Sequence, residues 1–316
     1  ITALVSSLFT SCENGDWEFP DFEYSAVYFA YQSPVRTVVL GEDVYDTSLD
    51  NEHKVMIMAT MGGVYANNMN VEIDIEVDNS LVDGLIFKKN VDTDPDVPVL
   101  AMPEAYYTLS SDKIVIEKGS VIGGVTVQLT DAFFADPLAL STNYVIPILM
   151  TDVVNADSIL SGKALVENPS RTSAADWDLS PKDYILYAVK YINKYDANYL
   201  RRGKDVIKPE VGKDTTITRQ AQWVERDEVV DKISTRNLNT IAWEYTGRDH
   251  NGDARTCTLI LTFNEQGECT INSETAGVTA SGTGRFVVKG EKNSWGRKDR
   301  DALYLDYIIE FADVTF

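Results

Sequence analysis

The chain has 316 residues, long enough for two domains that each bury a core, and too long for a disulfide-stapled miniprotein. Hydrophobic types make up 44% and charged types 24%, a composition that folds and that excludes a wholly disordered chain. Against 28 Lys and Arg stand 49 Asp and Glu, a formal net charge of −21 that repels polyanions and argues against nucleic acid or anionic lipid headgroups as partners.

Residues 1–11, ITALVSSLFTS, are uncharged and apolar or small, and they end at Cys12. As a helix they would rise about 16 Å, short of the roughly 30 Å hydrocarbon core, so they cannot span a bilayer alone. An apolar stretch closing on small residues before a Cys resembles the lipobox of bacterial lipoproteins, with Phe9 standing where Leu is usual three residues before the Cys. The resemblance implies that 1–12 is a signal-peptide remnant, that Cys12 is diacylated, and that the protein meets a membrane through its lipid anchor only. Glu13, Asn14, Gly15 and Asp16 open an acidic spacer over 13–22, similar to the export tract of Bacteroidetes lipoproteins. That likeness implies the extracellular face of the outer membrane.

Across 23–158 the dominant period is two. Val71, Ile73, Ile75 and Val77 alternate with Glu72, Asp74 and Glu76, which predicts a half-buried strand. Similar runs at 26–31, 35–40, 54–59, 113–117, 125–130 and 144–150 are parted by turn residues, among them Gly62-Gly63, Asn79-Ser80 and Gly123-Gly124. Short strands spaced by turns predict an all-β fold whose first domain is an antiparallel, immunoglobulin-like sandwich. Pro137 restricts 131–141 to a short helical turn.

Turn formers and few apolar residues mark 159–181 as a linker. Strands resume over 182–316, at 184–192, 215–224, 238–246, 255–263, 268–273, 276–289 and 302–311. Asn251-Gly252 predicts a tight type I′ hairpin and Asn264 to Gly267 a second turn. Gly277, Gly282 and Gly284 predict a strongly bent strand, so an antiparallel lipocalin-like barrel is expected, with a second sandwich as the alternative. The sequence ends inside an apolar alternation, so a final strand is expected beyond Phe316. Matching apolar faces across the 264–267 turn sets Phe263 opposite Cys269 and leaves Cys257 roughly 20 Å away, too far for a disulfide. Both cysteines read as small core residues.

Tyr24 to Phe29, the Ser48 to His53 tract, Val77 to Ser80, Met102-Pro103 with Tyr106-Tyr107, Gly123 to Val125 and Leu129 to Asp131 together resemble a known family. It is that of the outer-membrane lipoproteins of Bacteroidetes polysaccharide-utilisation loci, with their N-terminal β-sandwich domain of unknown function. More weakly, Tyr199 to Gly203, Ser294 to Gly296 and Tyr304 to Tyr307 are similar to the lipocalin-like β-domains that follow such modules. The resemblance implies display beside a glycan importer and carbohydrate binding, although fold kinship specifies no site.

Chemistry-bearing motifs are few. His53 and His250, the two histidines, sit at a strand start and in a hairpin, and both read as solvated. There is no nucleophile elbow, zinc-binding His-Glu-x-x-His or phosphate-cradling glycine loop, so no cofactor and no catalytic residue is expected. A glycoside hydrolase needs only two suitably spaced carboxylates and stays open as an alternative, as does an adhesive or structural envelope component. Asp92, Asp94 and Asp96, and separately Asp249, Asn251 and Asp253, are weak calcium candidates that lack the spacing of a twelve-residue loop. Sugar sites use aromatic platforms beside hydrogen-bonding side chains. Trp295 and Arg297 in a hydrophilic loop, and Tyr195, Tyr199, Arg201 and Arg202 in a mixed aromatic and basic segment, are the candidate glycan-binding residues. Trp243 and Tyr245 share a face with Ile241 and are assigned to the interior.

Overall fold

The computed structural model describes residues 24–88, 96–220 and 230–316. Cys12, the 13–22 spacer, Asp92 and Asp94 lie outside these residues. In chain order the first half contributes β1 (Ala26–Tyr28), β2 (Val35–Val39), β3 (Lys54–Gly62), β4 (Val71–Val77), β5 (Ile86–Phe87), β6 (Val97–Pro98), β7 (Leu100–Ala101), β8 (Tyr107–Leu109), β9 (Lys113–Ile116), β10 (Ile122–Leu129), β11 (Tyr144–Val154), β12 (Ser158–Ile159), β13 (Lys163–Ala164), β14 (Trp177–Leu179) and β15 (Tyr184–Ile192). Two sheets, ordered β12-β1-β3-β10-β8 and β2-β15-β11-β4-β9, face each other. They enclose one apolar cluster that includes Val27, Ile57, Ile73, Ile114, Val127 and Ile146. Each such side chain taken fully out of water contributes about 1.5–3 kcal/mol, so the alternating rows drive the two sheets together. The fold is all-β, with the expected two layers.

The sheets are mixed. Pairs β1–β12, β2–β15 and β7–β11 run parallel, which corrects the expectation of purely antiparallel ladders. Gly123-Gly124 is not a turn but lies inside β10. A Cβ on Gly123 would stand 2.1 Å from the Val115 carbonyl oxygen, so the glycines serve close strand approach. Strand β15, expected to open the second half, pairs with β11 and β2 instead. A β-strand carries no mark of its partner, and here the parallel partner lies some 150 residues earlier in the chain. The stretch expected as linker also lies against the first domain: Leu160 N–H donates to the Val27 carbonyl at 3.1 Å, and Arg171 pairs with the buried Asp183 at 3.2 Å.

The passage between halves falls at Asn193, which is 2% exposed. Its side-chain amide donates to the Asn237 and Thr240 carbonyls at 2.8 and 3.2 Å, tying the end of β15 to the second half. That half contributes β16 (Ala197–Leu200), β17 (Gly203–Pro209), β18 (Thr215–Arg219), β19 (Val230–Asn237), β20 (Thr240–Arg248), β21 (Ala254–Phe263), β22 (Glu268–Ser273), β23 (Thr279–Glu291), β24 (Arg300–Glu310) and β25 (Val314–Thr315). They form one antiparallel sheet ordered β16-β19-β20-β21-β22-β23-β24-β25-β17-β18. It curls strongly into a half-barrel, where a closed barrel or a second sandwich had been expected. Its inner face is lined by Ile241, Trp243, Tyr245, Leu259, Leu261 and Ile271 among others.

Phe263 stands opposite Cys269 and Leu261 opposite Ile271, the register expected from the apolar faces, and both cysteines are free and buried. The hairpin at Asn251-Gly252 is longer than expected: residues 249–253 form the loop, closed by an Asp249 N–H bond to the Asp253 carbonyl at 2.9 Å. At Gly284 a Cβ would meet Leu305 Cδ2 and the Tyr304 carbonyl oxygen at 2.5 Å, so glycine there lets β23 bend against β24.

Candidate functional site

A cavity of about 950 Å³ opens inside the curl, between β16–β17 and β24, with Trp243 and Asp231 of β20 and β19 at its base. This size is within the range of ordinary small-molecule sites. Alternation on the strands explains how charge arrives on an apolar face. Asp205 shares a face of β17 with Ile207, and Arg219 shares a face of β18 with Ile217. In the ladder Asp205 stands opposite Ile217, which makes Arg219 its diagonal neighbour.

The base is a charge network. Arg201 Nη2 donates to Asp205 Oδ1 and Oδ2 at 3.0 and 3.1 Å and to Tyr307 Oη at 3.1 Å. Arg219 donates to Asp205 Oδ2 through Nε and Nη2 at 3.0 and 2.8 Å. The guanidinium of Arg201 also lies 5.2 Å from the Trp243 ring centre and 4.7 Å from that of Tyr245, so its flat faces are covered by aromatic rings. Only 8% of its side chain and 10% of that of Asp205 are exposed. Burial pushes the Tyr307 hydroxyl upward, with Arg201 opposing. Burial likewise lifts the Asp231 carboxyl above the usual aspartate value, against the pull of Arg201 and of the neighbouring Trp243 indole.

The mouth is built by the 292–299 hairpin between β23 and β24. Ser294 N–H bonds to the Lys298 carbonyl at 2.9 Å, and Asp299 accepts from Asn293 N–H and from Lys292 at 3.0 Å each. Arg300 Nε donates to the Trp295 carbonyl at 2.9 Å. These bonds hold the half-buried Trp295 ring on the cavity wall. From the first half, Glu42 meets Lys289 on the rim at 2.6 Å. Eight Lys and Arg face nine Asp and Glu around the cavity, near balance on a chain of net charge −21.

Of the candidates read from the sequence, Trp295, Tyr199, Arg201 and Arg202 come together around this cavity. Tyr195 does not. It is 3% exposed and stacked on Phe263, with ring centres 3.8 Å apart. Arg297 is exposed outside the lining, at a left-handed φ of 58°. The Asp249 calcium candidate is corrected: Oδ1 accepts from the Asn251 and Asp253 N–H groups at 2.9 and 3.0 Å, while Oδ2 accepts from Arg255 at 2.9 and 3.1 Å. A guanidinium stands where a cation would have to bind. Among the described residues no group of three or more His, Cys, Asp or Glu is placed to hold a metal ion. His53 packs half-buried on Phe134, with ring centres 4.2 Å apart, rather than in solvent. Sequence reading missed Asp205, Arg219 and Asp231. The available signal was opposite charges on the apolar rows of β17 and β18.

Fold and site thus define a two-domain all-β protein with a polar-based cavity in the curl of its second sheet. The profile of the domain of unknown function DUF5627 matches residues 194–316, and that of an N-terminal domain matches 22–157. A crystal structure of a Bacteroides ovatus protein of unknown function is 48% identical, covers 93% of this chain and 92% of its own, and superposes with a TM-score of 0.86. The chain belongs to the family of that Bacteroides protein. Two further crystal structures are 14% and 12% identical: a B. ovatus multidomain protein including DUF1735 (90% and 84% of the two chains covered, TM-score 0.40) and an auxiliary nutrient binding protein of Bacteroides thetaiotaomicron (90% and 89%, TM-score 0.41). At those scores neither likeness bears on this chain's ligand. No protein of curated function matches.

Proposed function

We propose that the second domain binds a glycan without transforming it, on a protein that Cys12 anchors by lipid to the outer face of the outer membrane, serving a polysaccharide uptake system. The cavity carries this reading. Trp295 and Tyr199 offer apolar ring surface for the CH face of a pyranose, beside a base dense in hydrogen-bonding groups. Near balance of charge in the lining suits a neutral ligand on an otherwise acidic protein. Of the two carboxylates at the base, Asp205 is bound by two guanidiniums, which favours capture over hydrolysis by an acid and base pair there. The anchor rests on the sequence of 1–16 alone.

Affinity electrophoresis over plant and host polysaccharides tests the reading. Retardation of the parent, lost in Trp295→Ala with unchanged melting, is the expected result. No retardation across the panel would favour adhesion. Release of reducing sugar, abolished by one carboxylate-to-amide change, would replace capture with hydrolysis. Mass spectrometry of the native amino end tests for the diacyl group on Cys12.

A further inference from the structure

The wall of the cavity is not drawn from the second domain alone. Glu42, Asp43 and Val44, on the loop 41–47 that follows β2 in the first domain, line it together with residues of β16, β17 and β24. The root of this loop is fixed. Asn51 Nδ2 and Thr47 Oγ1 donate to the Gly41 carbonyl at 2.9 and 2.6 Å, and Asn51 Oδ1 accepts from Gly41 N–H at 2.7 Å. Gly41, at a left-handed φ of 95°, packs so closely on the start of the second domain that a Cβ there would stand 2.7 Å from Lys194 Cβ. Farther out, Glu42 meets Lys289, which is held at a left-handed φ of 50° while its N–H donates to Asp301 Oδ1 at 2.8 Å. A residue other than glycine keeps that conformation only where its surroundings impose it. The tip of the loop differs from its root: Val44 is 85% exposed and Tyr45 78%. One exposed apolar residue is ordinary, but here two are adjacent on a loop tied at both ends, and the first of them is cavity wall.

We infer that the loop 41–47 of the first domain is part of the glycan site, that Val44 and Tyr45 are the apolar contacts it contributes, and that the ligand is an oligosaccharide long enough to touch both domains. The inference rests on reading the cavity as a glycan site, and it gives the first domain a part in binding. Trp295 and Tyr199 present ring surface from the second domain, and the loop tip adds apolar surface from the first. A single pyranose would leave most of a cavity of about 950 Å³ empty, whereas an oligosaccharide that fills it reaches the Val44 wall. Glu42 is a positioning residue, acting through the place of the tip rather than on the sugar. Its side chain and that of Lys289 are both more than half exposed, so the pair is a weak latch that salt screens.

The test uses isothermal titration of the full chain with neutral hexasaccharides of glucose, mannose, galactose and xylose, and with the four monosaccharides. The double variant Val44→Ser, Tyr45→Ser removes both apolar side chains from a tip that is mostly in solvent, so melting should be unchanged. It should raise Kd about tenfold for the best hexasaccharide, and the parent should bind that probe at least about tenfold more tightly than the monosaccharide. Glu42→Gln should raise Kd about threefold, and its difference from the parent should close in about 1 M salt, which leaves an uncharged probe unaffected. Should the double variant melt lower than the parent, Tyr45→Ala alone decides. Unchanged affinity in the loop variants, with loss in Trp295→Ala, overturns the part given to the loop and leaves the cavity reading standing. Equal affinity of the parent for monosaccharide and hexasaccharide overturns it too. A Glu42→Gln effect that persists in salt overturns the latch. Absence of binding by the parent to every probe overturns both the loop's part and the cavity reading.

Discussion

Replacing Asp205 by Ala should break the buried network that shapes the cavity base. Asp205 accepts two contacts from Arg201 at 3.0 and 3.1 Å and two from Arg219 at 3.0 and 2.8 Å, with side-chain exposures of 8% and 17% for the two arginines. Once the carboxylate is gone, two guanidiniums share a poorly hydrated space with only the more distant Asp231 to oppose their charge. Arg201 keeps Tyr307 Oη, aromatic faces, a long 3.4 Å bond to the Thr246 carbonyl and the attraction of Asp231. Removing one partner of a buried pair costs about 3–5 kcal/mol. For a domain of roughly 120 residues the unfolding entropy is about 0.25 kcal/mol/K, so the second domain's melting point should fall by about 12–20 °C. Differential scanning calorimetry reads this directly. A companion variant that replaces all three members of the network, Arg201→Met, Asp205→Leu and Arg219→Met, should recover much of the loss, since apolar groups of similar volume carry no desolvation penalty. A drop under about 3 °C in Asp205→Ala would show that water reaches the base, and the burial argument would be refuted.

Gly284→Ala should destabilise the second domain by about 1–3 kcal/mol, because its methyl would meet the Tyr304 carbonyl oxygen at 2.5 Å and Cys269 Sγ at 3.0 Å; urea unfolding measures it, and a neutral result would mean that β23 is free to shift. Burial pushes the Cys257 and Cys269 thiols up to about 11, so in a Cys12→Ser form neither should react with a disulfide reagent at neutral pH until the protein unfolds. In the first domain, burial of Asp136 acts to raise its carboxyl, but bonds from Tyr144, the Leu138 N–H and Tyr106 outweigh it and hold the value below the usual 3.8. A lowered native value means that the unfolded chain binds the proton more readily, so this stabilisation is present above about pH 4 and fades as the pH falls through the native value. Asp136→Asn should therefore flatten the acid limb of the first domain's stability curve; an unchanged limb would remove Asp136 from the account.

Local alternation was enough to read the all-β class, the limits of β4 at Val71–Val77 and the Phe263–Cys269 register, because one buried face forces a period of two and a one-residue slip would turn every apolar side chain outward. Trp243 and Tyr245 were legible as interior for the same reason. Trp295 stood out as an indole in a hydrophilic run, and it does line the cavity.

Pairing between distant strands was beyond reach. Tyr184–Ile192 is a strand by its own pattern, but which sheet completes it depended on β2 and β11 both being free to bond it. Tyr195 and Tyr199 are four residues apart and chemically alike; the curl of the sheet sends one onto Phe263 and the other into the cavity. Arg201 was legible as a member of a candidate segment, but its partners Asp205, Arg219 and Asp231 read as ordinary surface charges in a chain of net charge −21. Sequence by itself determined which segments become strands and which of their faces avoid water. Tertiary structure alone decided which strands meet and where four charges gather, because both depend on curvature and on hydrogen bonds between backbones far apart in the chain.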